Sequence, residues 1–459
     1  MRAILKILIL ATLTSLVLAA GTFQLFENAF SLSFPDTLRL EQSRIDYSMA
    51  HQELYRSSFN DTLLSRYTIK DQNLSLNYLF NDFSITASWN RYVLDIDDAF
   101  NSNYTKTSFK PVGHTFRLRS DILFGSWKIR PGVSFTFSGT NDTLFIEEYP
   151  RSDQSAMNNY FFDLLPETYG DSIHFRHNYH SLNGELTAHH KALTFHLSYF
   201  YSSDQIDETH ANTSSNIKLQ GPRESLCSFN QSRIKARIGW TMRPDHYLWG
   251  GLDYHTFPLD WRHTVYPGDP IPNEIIQLVI GKSNLFRAQL GYNTKINKFN
   301  IRTGISSGFA NTADTASTPV MGYFLNIFPI SHQASLSAGT AYIMGQVHAD
   351  YLWSIKNTKI RPRLDILASR FWSNIDFQAL LEFGLEDIQI SDNYIHAAYV
   401  AALGCDADIA LNQDLYLSLK IEQMIPYVKA VSPVTPPPPP DGIKRYGGLS
   451  ISAGVYMTW

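Results

Sequence analysis

The residues in this sequence whose types and spacing could act on another molecule are basic and set two apart. Arg117 and Arg119, Lys128 and Arg130, the trio Arg233, Lys235 and Arg237, and Arg361 and Arg363 each take alternate positions of a short segment. Arg287, Arg302 and Lys420 sit in segments of the same kind. In an extended strand, side chains two apart share a face, so each set lines up its cations in a row. A row of guanidinium groups along a wall creates a transverse field that favours anionic or zwitterionic solutes. It performs no covalent step. Carboxylates fall on the same faces: Asp121, Glu185, Asp253, Asp350, Asp365, Asp406, Asp408 and Glu422. The sequence therefore leaves two readings open, a charged path for solutes and a salt-bridged filling of an interior.

Motifs for covalent or metal chemistry fare worse. Gly304-Ile305-Ser306-Ser307-Gly308 has the letters of a nucleophile elbow, which needs a strand, a sharp turn and a helix. Here the alternating segment from Phe299 runs straight through it. Gly281-Lys282-Ser283 lacks the leading glycine of a phosphate loop, because Ile276 holds that place. His174, His177 and His180 do not converge, since an extended strand turns His177 away from the other two. His189 and His190 have the same problem. The sequence is read as that of a protein that is not an enzyme, with no catalytic residue, metal or cofactor. A net charge of −4 gives no signal for nucleic acid.

The elements that must position the charged rows are strands. Phe83, Ile85, Ala87 and Trp89 alternate with Ser84, Thr86, Ser88 and Asn90, and the same pattern recurs along the chain. Short turn signals separate such runs at Asn81-Asp82, Gly125-Ser126, Lys191-Ala192, Pro244-Asp245, Asn297-Lys298, Asn357-Thr358 and Gln413-Asp414. Successive turns lie about 45 to 66 residues apart, room for one strand, a longer polar segment and a returning strand. Seven short turns imply eight hairpins. The expected fold is all-β, a transmembrane antiparallel up-and-down β-barrel of about 16 strands, with short periplasmic turns and long outer loops. Residues 36–50 alternate poorly, so fourteen is the alternative count. Two outer segments, near 309–340 and 372–395, have extra apolar content and suit a short helix or a strand extension. Pro436 to Pro440 stiffens the last outer loop. Cys227 is expected in an outer loop and Cys405 inside a strand. A Lys or Arg facing hydrocarbon at the midplane costs about 2–4 kcal/mol, which assigns the basic rows to a wet lumen.

Composition and targeting agree. Arg2 and Lys6, the apolar run Ile7 to Leu18, and the small residues Ala19, Ala20 and Gly21 form an expected signal peptide over residues 1–20, leaving 21–459 as one barrel domain. Nothing beyond it approaches 18 consecutive apolar residues. Aromatics make up 14% of the chain and charged residues 17%, below the roughly 25% charged of a soluble protein.

The last strand carries a resemblance. Leu449, Ile451, Ala453, Val455, Met457 and Trp459 alternate with Ser450, Ser452, Gly454, Tyr456 and Thr458. This is similar to the C-terminal signature of Gram-negative outer-membrane β-barrels, and it implies that Ile451, Val455, Met457 and Trp459 are read by the barrel assembly machinery. Leu165-Pro166-Glu167-Thr168-Tyr169-Gly170-Asp171 resembles the Pro-Glu-Phe-Gly-Gly-Asp motif in the constriction loop of the general porins, with Thr168-Tyr169 in place of the aromatic-glycine pair. That resemblance implies that residues 139–173 fold into the barrel and that Glu167 and Asp171 oppose the basic wall. The porin superfamily in turn implies residence in the bacterial outer membrane, contact with its lipid, passive diffusion of small hydrophilic solutes, and the possibility of a homo-oligomer. A structural or binding barrel with a plugged lumen, and a substrate-specific transport or secretion barrel, are the alternatives. The specific transporter would show an apolar path on its inner wall.

Overall fold

The computed structural model describes residues 43–57, 63–100, 103–110, 112–146, 149–150, 171–210, 223–265, 275–324, 328–381, 388–430 and 445–459. They form sixteen strands. In order these are β1 (Arg44–Ser57), β2 (Leu63–Phe80), β3 (Phe83–Phe100), and β4, which runs through Asn103–Phe109, Val112–Ser120 and Ile122–Phe124. Next come β5 (Trp127–Ile146), β6 (Asp171–His190), β7 (Leu193–His210) and β8 (Arg223–Arg243). Then follow β9 (His246–Val265), β10 (Ile275–Ile296), β11 (Phe299–Phe324) and β12 (Phe328–Tyr351 with Trp353–Ile355). The last four are β13 (Thr358–Leu381), β14 (Ile388–Ala410), β15 (Leu415–Ala430) and β16 (Arg445–Thr458).

Each strand pairs antiparallel with its sequence neighbours, and β1 pairs with β16 from Arg44↔Thr458 to Ser57↔Arg445 without a register shift. The sheet is thereby closed. No backbone edge is left for lipid, which cannot satisfy one. The count is sixteen, not fourteen. From Arg44 the first strand does alternate: Arg44, Asp46, Ser48 and Ala50 point inward, and Ile45, Tyr47 and Met49 point outward. The expected signal peptide, Glu167 and the proline run lie outside the described residues. The apolar outer segments extend the strands of β11 to β14. Cys227 belongs to β8, not to a loop.

All seven short turns are present, and one is displaced: it is made by Lys356-Asn357, a residue earlier than expected. Asn81, Gly125, Lys191, Asn297 and Lys356 take the left-handed conformation, with φ between 49° and 60°. That hand matches the twist of a two-residue hairpin. Six turns are also tied sideways. The carbonyls of Asp82, Ala192, Asp245, Lys298, Asn357 and Asp414 accept N–H bonds of 2.8–2.9 Å from Asp121, Thr241, Lys295, Leu352, Ala410 and Thr458 of the next hairpin or strand. The break at Asp121 in β4 and the break at Leu352 in β12 fall where these sideways bonds form.

The outward face is an apolar belt. On β7 it runs from Leu193 through Phe195, Leu197 and Tyr199 to Tyr201, all exposed. At ~3.3 Å per residue that is about 26 Å of strand, on the order of 20 Å of membrane once a tilt of ~40° is allowed for. Phe80, Phe83, Phe124, Trp240, Phe299, Trp353 and Trp459 ring its lower edge near the short turns. Lys70, Arg91 and Lys282 lie exposed where the belt ends above. A closed barrel with such a belt spans a bilayer, and among bacterial membranes this architecture belongs to the outer one.

Candidate functional site

The alternation that makes the belt also turns the polar residues inward, and there the basic rows meet carboxylates. Arg130 holds Asp121 by two bonds, Nε–Oδ1 at 2.6 Å and Nη2–Oδ2 at 3.1 Å, and Lys128 Nζ lies 2.7 Å from the same side chain. Arg119 Nε donates to Glu185 Oε1 at 2.5 Å, reaching from β4 past β5 to β6. Arg117 stands on the same inner face, half-buried. Asp253 on β9 is gripped from both sides, by Arg233 of β8 (Nε–Oδ1 2.8 Å) and by Arg287 of β10. Lys235 faces Asp253 across the β8–β9 ladder. Arg237 packs its guanidinium 4.9 Å from the centre of the Trp249 ring, and Trp249 is itself 2% exposed. That ring lies so close over Gly291 that a Cβ there would collide with it.

On the other half of the wall, Arg361 Nε lies 3.8 Å from Asp350. Arg363 lies 3.7 Å from Asp406 and pairs with Glu422. His348 bridges Asp365 at 2.7 Å and Asp350 at 3.0 Å. Each of these ion pairs joins strands no more than two apart. They run along the wall and do not cross the lumen.

The two halves differ in sign. From β4 to β11 the inner face carries Arg117, Arg119, Lys128, Arg130, Arg233, Lys235, Arg237, Arg287 and Arg302 against Asp121, Glu185, Asp204 and Asp253. From β12 round to β2 it carries Arg44, Lys359, Arg361, Arg363 and Lys420, with His348, against Asp46, Asp71, Asp350, Asp365, Asp406, Asp408 and Glu422. A basic arc thus faces an acidic one. Against the acidic arc lies a cavity of about 480 Å³, lined by residues of β1, β2 and β12 to β16.

Sequence reasoning missed an apolar patch on the inner wall. Tyr342, Met344 and Leu367 are buried together, with Leu285, Phe371 and Val400 packed against them. The signal was in the parity. Along β12 the inner positions read Asp350, His348, Gln346, Met344, Tyr342 from the short turn outward, charged first and apolar above. It also missed the partner of His177, which is fully buried and lies 2.5 Å from Asp204 through Nε2.

Asp171, assigned to a constriction loop, opens β6 opposite Ile146, so its backbone belongs to the wall ladder. Gly304 to Gly308 lie within β11, without the strand-to-helix turn of a nucleophile elbow. Ile451, Val455, Met457 and Trp459 all face outward, between 40% and 56% exposed.

No protein-family model matches the sequence, and no curated protein matches it. Among solved structures the chain is similar to the copper transporter OprC, at 9% identity and a TM-score of 0.38 over 91% of this chain and 80% of that one. It is similar to the Pseudomonas putida toluene transporter TodX, at 10% identity and 0.36 over 94% and 92%. The CymD monoaromatic hydrocarbon channel shows 9% identity and 0.36 over 91% and 89%. The strand number, register and inner wall described above are this chain's own.

Proposed function

We propose that the barrel is a porin-like channel for passive diffusion of small hydrophilic solutes, with selectivity set by the two charged arcs. The observation that carries this reading is the course of the ion pairs. A plug is held by contacts from one side of a lumen to the other, whereas these pairs fold the charged side chains down along the wall. The basic arc opposite an acidic arc supplies a transverse field. Arg117, Arg119, Lys128, Arg130, Arg233, Lys235 and Arg237 attract anionic groups to one side; Arg361 and Arg363 sit among the carboxylates of the other. No chemical step is involved. The outward row Ile451, Val455, Met457 and Trp459 is the surface offered to the assembly machinery.

The test is solute entry into proteoliposomes containing the folded protein. Vesicles shrunk by an impermeant sugar polymer should re-swell with small hydrophilic solutes and fail to do so with large ones. No re-swelling by any small solute, with folded barrel present, contradicts the channel. The apolar inner patch of Tyr342, Met344, Leu367 and Phe371 favours a second reading, a substrate-specific transporter whose solute has an apolar part. That reading expects saturable uptake of such a solute, reduced when Met344 and Leu367 are replaced by Ser.

A further inference from the structure

We infer that the cavity against the acidic arc is a binding site for a neutral polyhydroxylated solute, of mono- to disaccharide size. This rests on the reading of the lumen as a solute path and adds to it a place where one solute class is retained. Its volume, about 480 Å³, falls within the ~300–1,000 Å³ of small-molecule sites. It is cut into the seam where the barrel closes, and the seam strands make room for it. Gly454 of β16 lies opposite Ser48 of β1 and Ser418 of β15, and Ser450 and Ser452 of β16 and Ser75 of β2 line the same space.

Five serine hydroxyls therefore look into one space, joined by the amides of Asn73 and Gln346. Each hydroxyl both donates and accepts, and each amide does so through separate atoms. Such groups suit a ligand whose own groups both donate and accept, which is the property of a sugar hydroxyl. The charged groups lining the cavity are mixed in sign. Arg44, Arg363 and Lys420 stand with His348 against Asp46, Asp365 and Glu422. Arg44 pairs with Asp46, Arg363 with Glu422, and His348 with Asp365. A charged solute would find those partners engaged, with Lys420 left to meet an anion, and drawing it out of water would go largely uncompensated.

Leu367, Val400, Ala50 and Ala402 add an apolar patch, the counterpart of the C–H faces of a sugar ring. Tyr456 bounds the cavity near the short turns. It is held by the ring of Tyr416, stacked at 4.7 Å and 9°, and by the Arg44 guanidinium 3.8 Å from its ring centre. Both of those partners also fix its position as a floor.

The experiment is titration of the folded full-length protein in detergent with maltose, and separately with glutamate, followed by calorimetry. Saturable maltose binding is expected, with none for glutamate. Ser450→Val with Ser452→Val keeps strand-forming residues and removes two hydroxyls, and should weaken maltose binding about tenfold. If that variant does not fold, Asn73→Leu on β2 serves the same purpose. Absence of maltose binding, or binding unchanged in the folded variants, overturns the inference. Bilayer conductance separates the two readings. An open channel that does not bind maltose refutes only the site, and maltose binding by a barrel that does not conduct refutes only the channel.

Discussion

At the scale of single residues, the lumen is governed by how each charge is held. Arg119 and Glu185 neutralise one another across β5, and Arg117 stands beside them on the same strand face. Replacing both arginines with Ala removes two cations and exposes the Glu185 carboxylate to the lumen. The reversal potential under a salt gradient should move toward cation preference; no movement would separate this patch from the solute path. Asp253 is a different case, 3% exposed and shared by Arg233 and Arg287. Removing one partner of a buried charged cluster costs on the order of 3 kcal/mol. Asp253→Ala should therefore lower the midpoint of urea unfolding and, by freeing two guanidinium groups, raise anion preference. The inward position of these residues was legible from alternation alone. Their partners were not, because Asp253 lies 20 residues from Arg233 and 34 from Arg287, and only the register of three strands brings them together. The same holds for His177 and Asp204.

At the scale of elements, the turns and the seam decide whether the barrel closes. Lys356 adopts φ 49°, a conformation that costs a non-glycine residue roughly 1–2 kcal/mol. Lys356→Gly should therefore stabilise the β12–β13 hairpin, by about 0.5–1 kcal/mol after the added freedom of the unfolded chain is subtracted. Thermal unfolding of the reconstituted barrel checks it, and a lower midpoint would contradict the assignment. At the seam, a Cβ on Gly454 would lie 2.9 Å from the Tyr47 carbonyl oxygen and 3.0 Å from Ser48 Cβ. Overpacking of this kind costs about 1–3 kcal/mol. Gly454→Val should cut the fraction of protein that runs as a compact, heat-modifiable species on cold gels. The turns could be found in sequence because tight hairpins demand particular residues. Five of the seven turns fall where their residues place them, and the last is a wider bend over Leu411 to Asp414. The displaced one shows the limit: Asn357 marks a turn, yet the left-handed position falls to Lys356, which no propensity would select. The first strand was the hardest to see because its inner face mixes Arg44, Asp46, Ser48 and Ala50, and its outer face passes from Met49 to His51 and Glu53 as it leaves the belt.

At the scale of the whole molecule, closure turns sixteen amphipathic strands into two environments, an apolar belt outside and a polar lumen divided into arcs of opposite sign inside. The barrel and the assignment of its inner and outer faces were written in period-two alternation, since one face must satisfy lipid and the other water. The division of the lumen was not, because the sign of an arc is a sum over strands distant in sequence, and the apolar inner patch lies above charged positions on the same strands. We propose that this lumen is a water-filled passage whose basic arc sets its preference. Insertion of the purified full-length protein into a planar bilayer under a potassium chloride gradient tests it most directly. Stable ohmic steps with a reversal potential on the anion-selective side are predicted; a bilayer that stays sealed around folded barrels, or steps that select cations, would contradict the account.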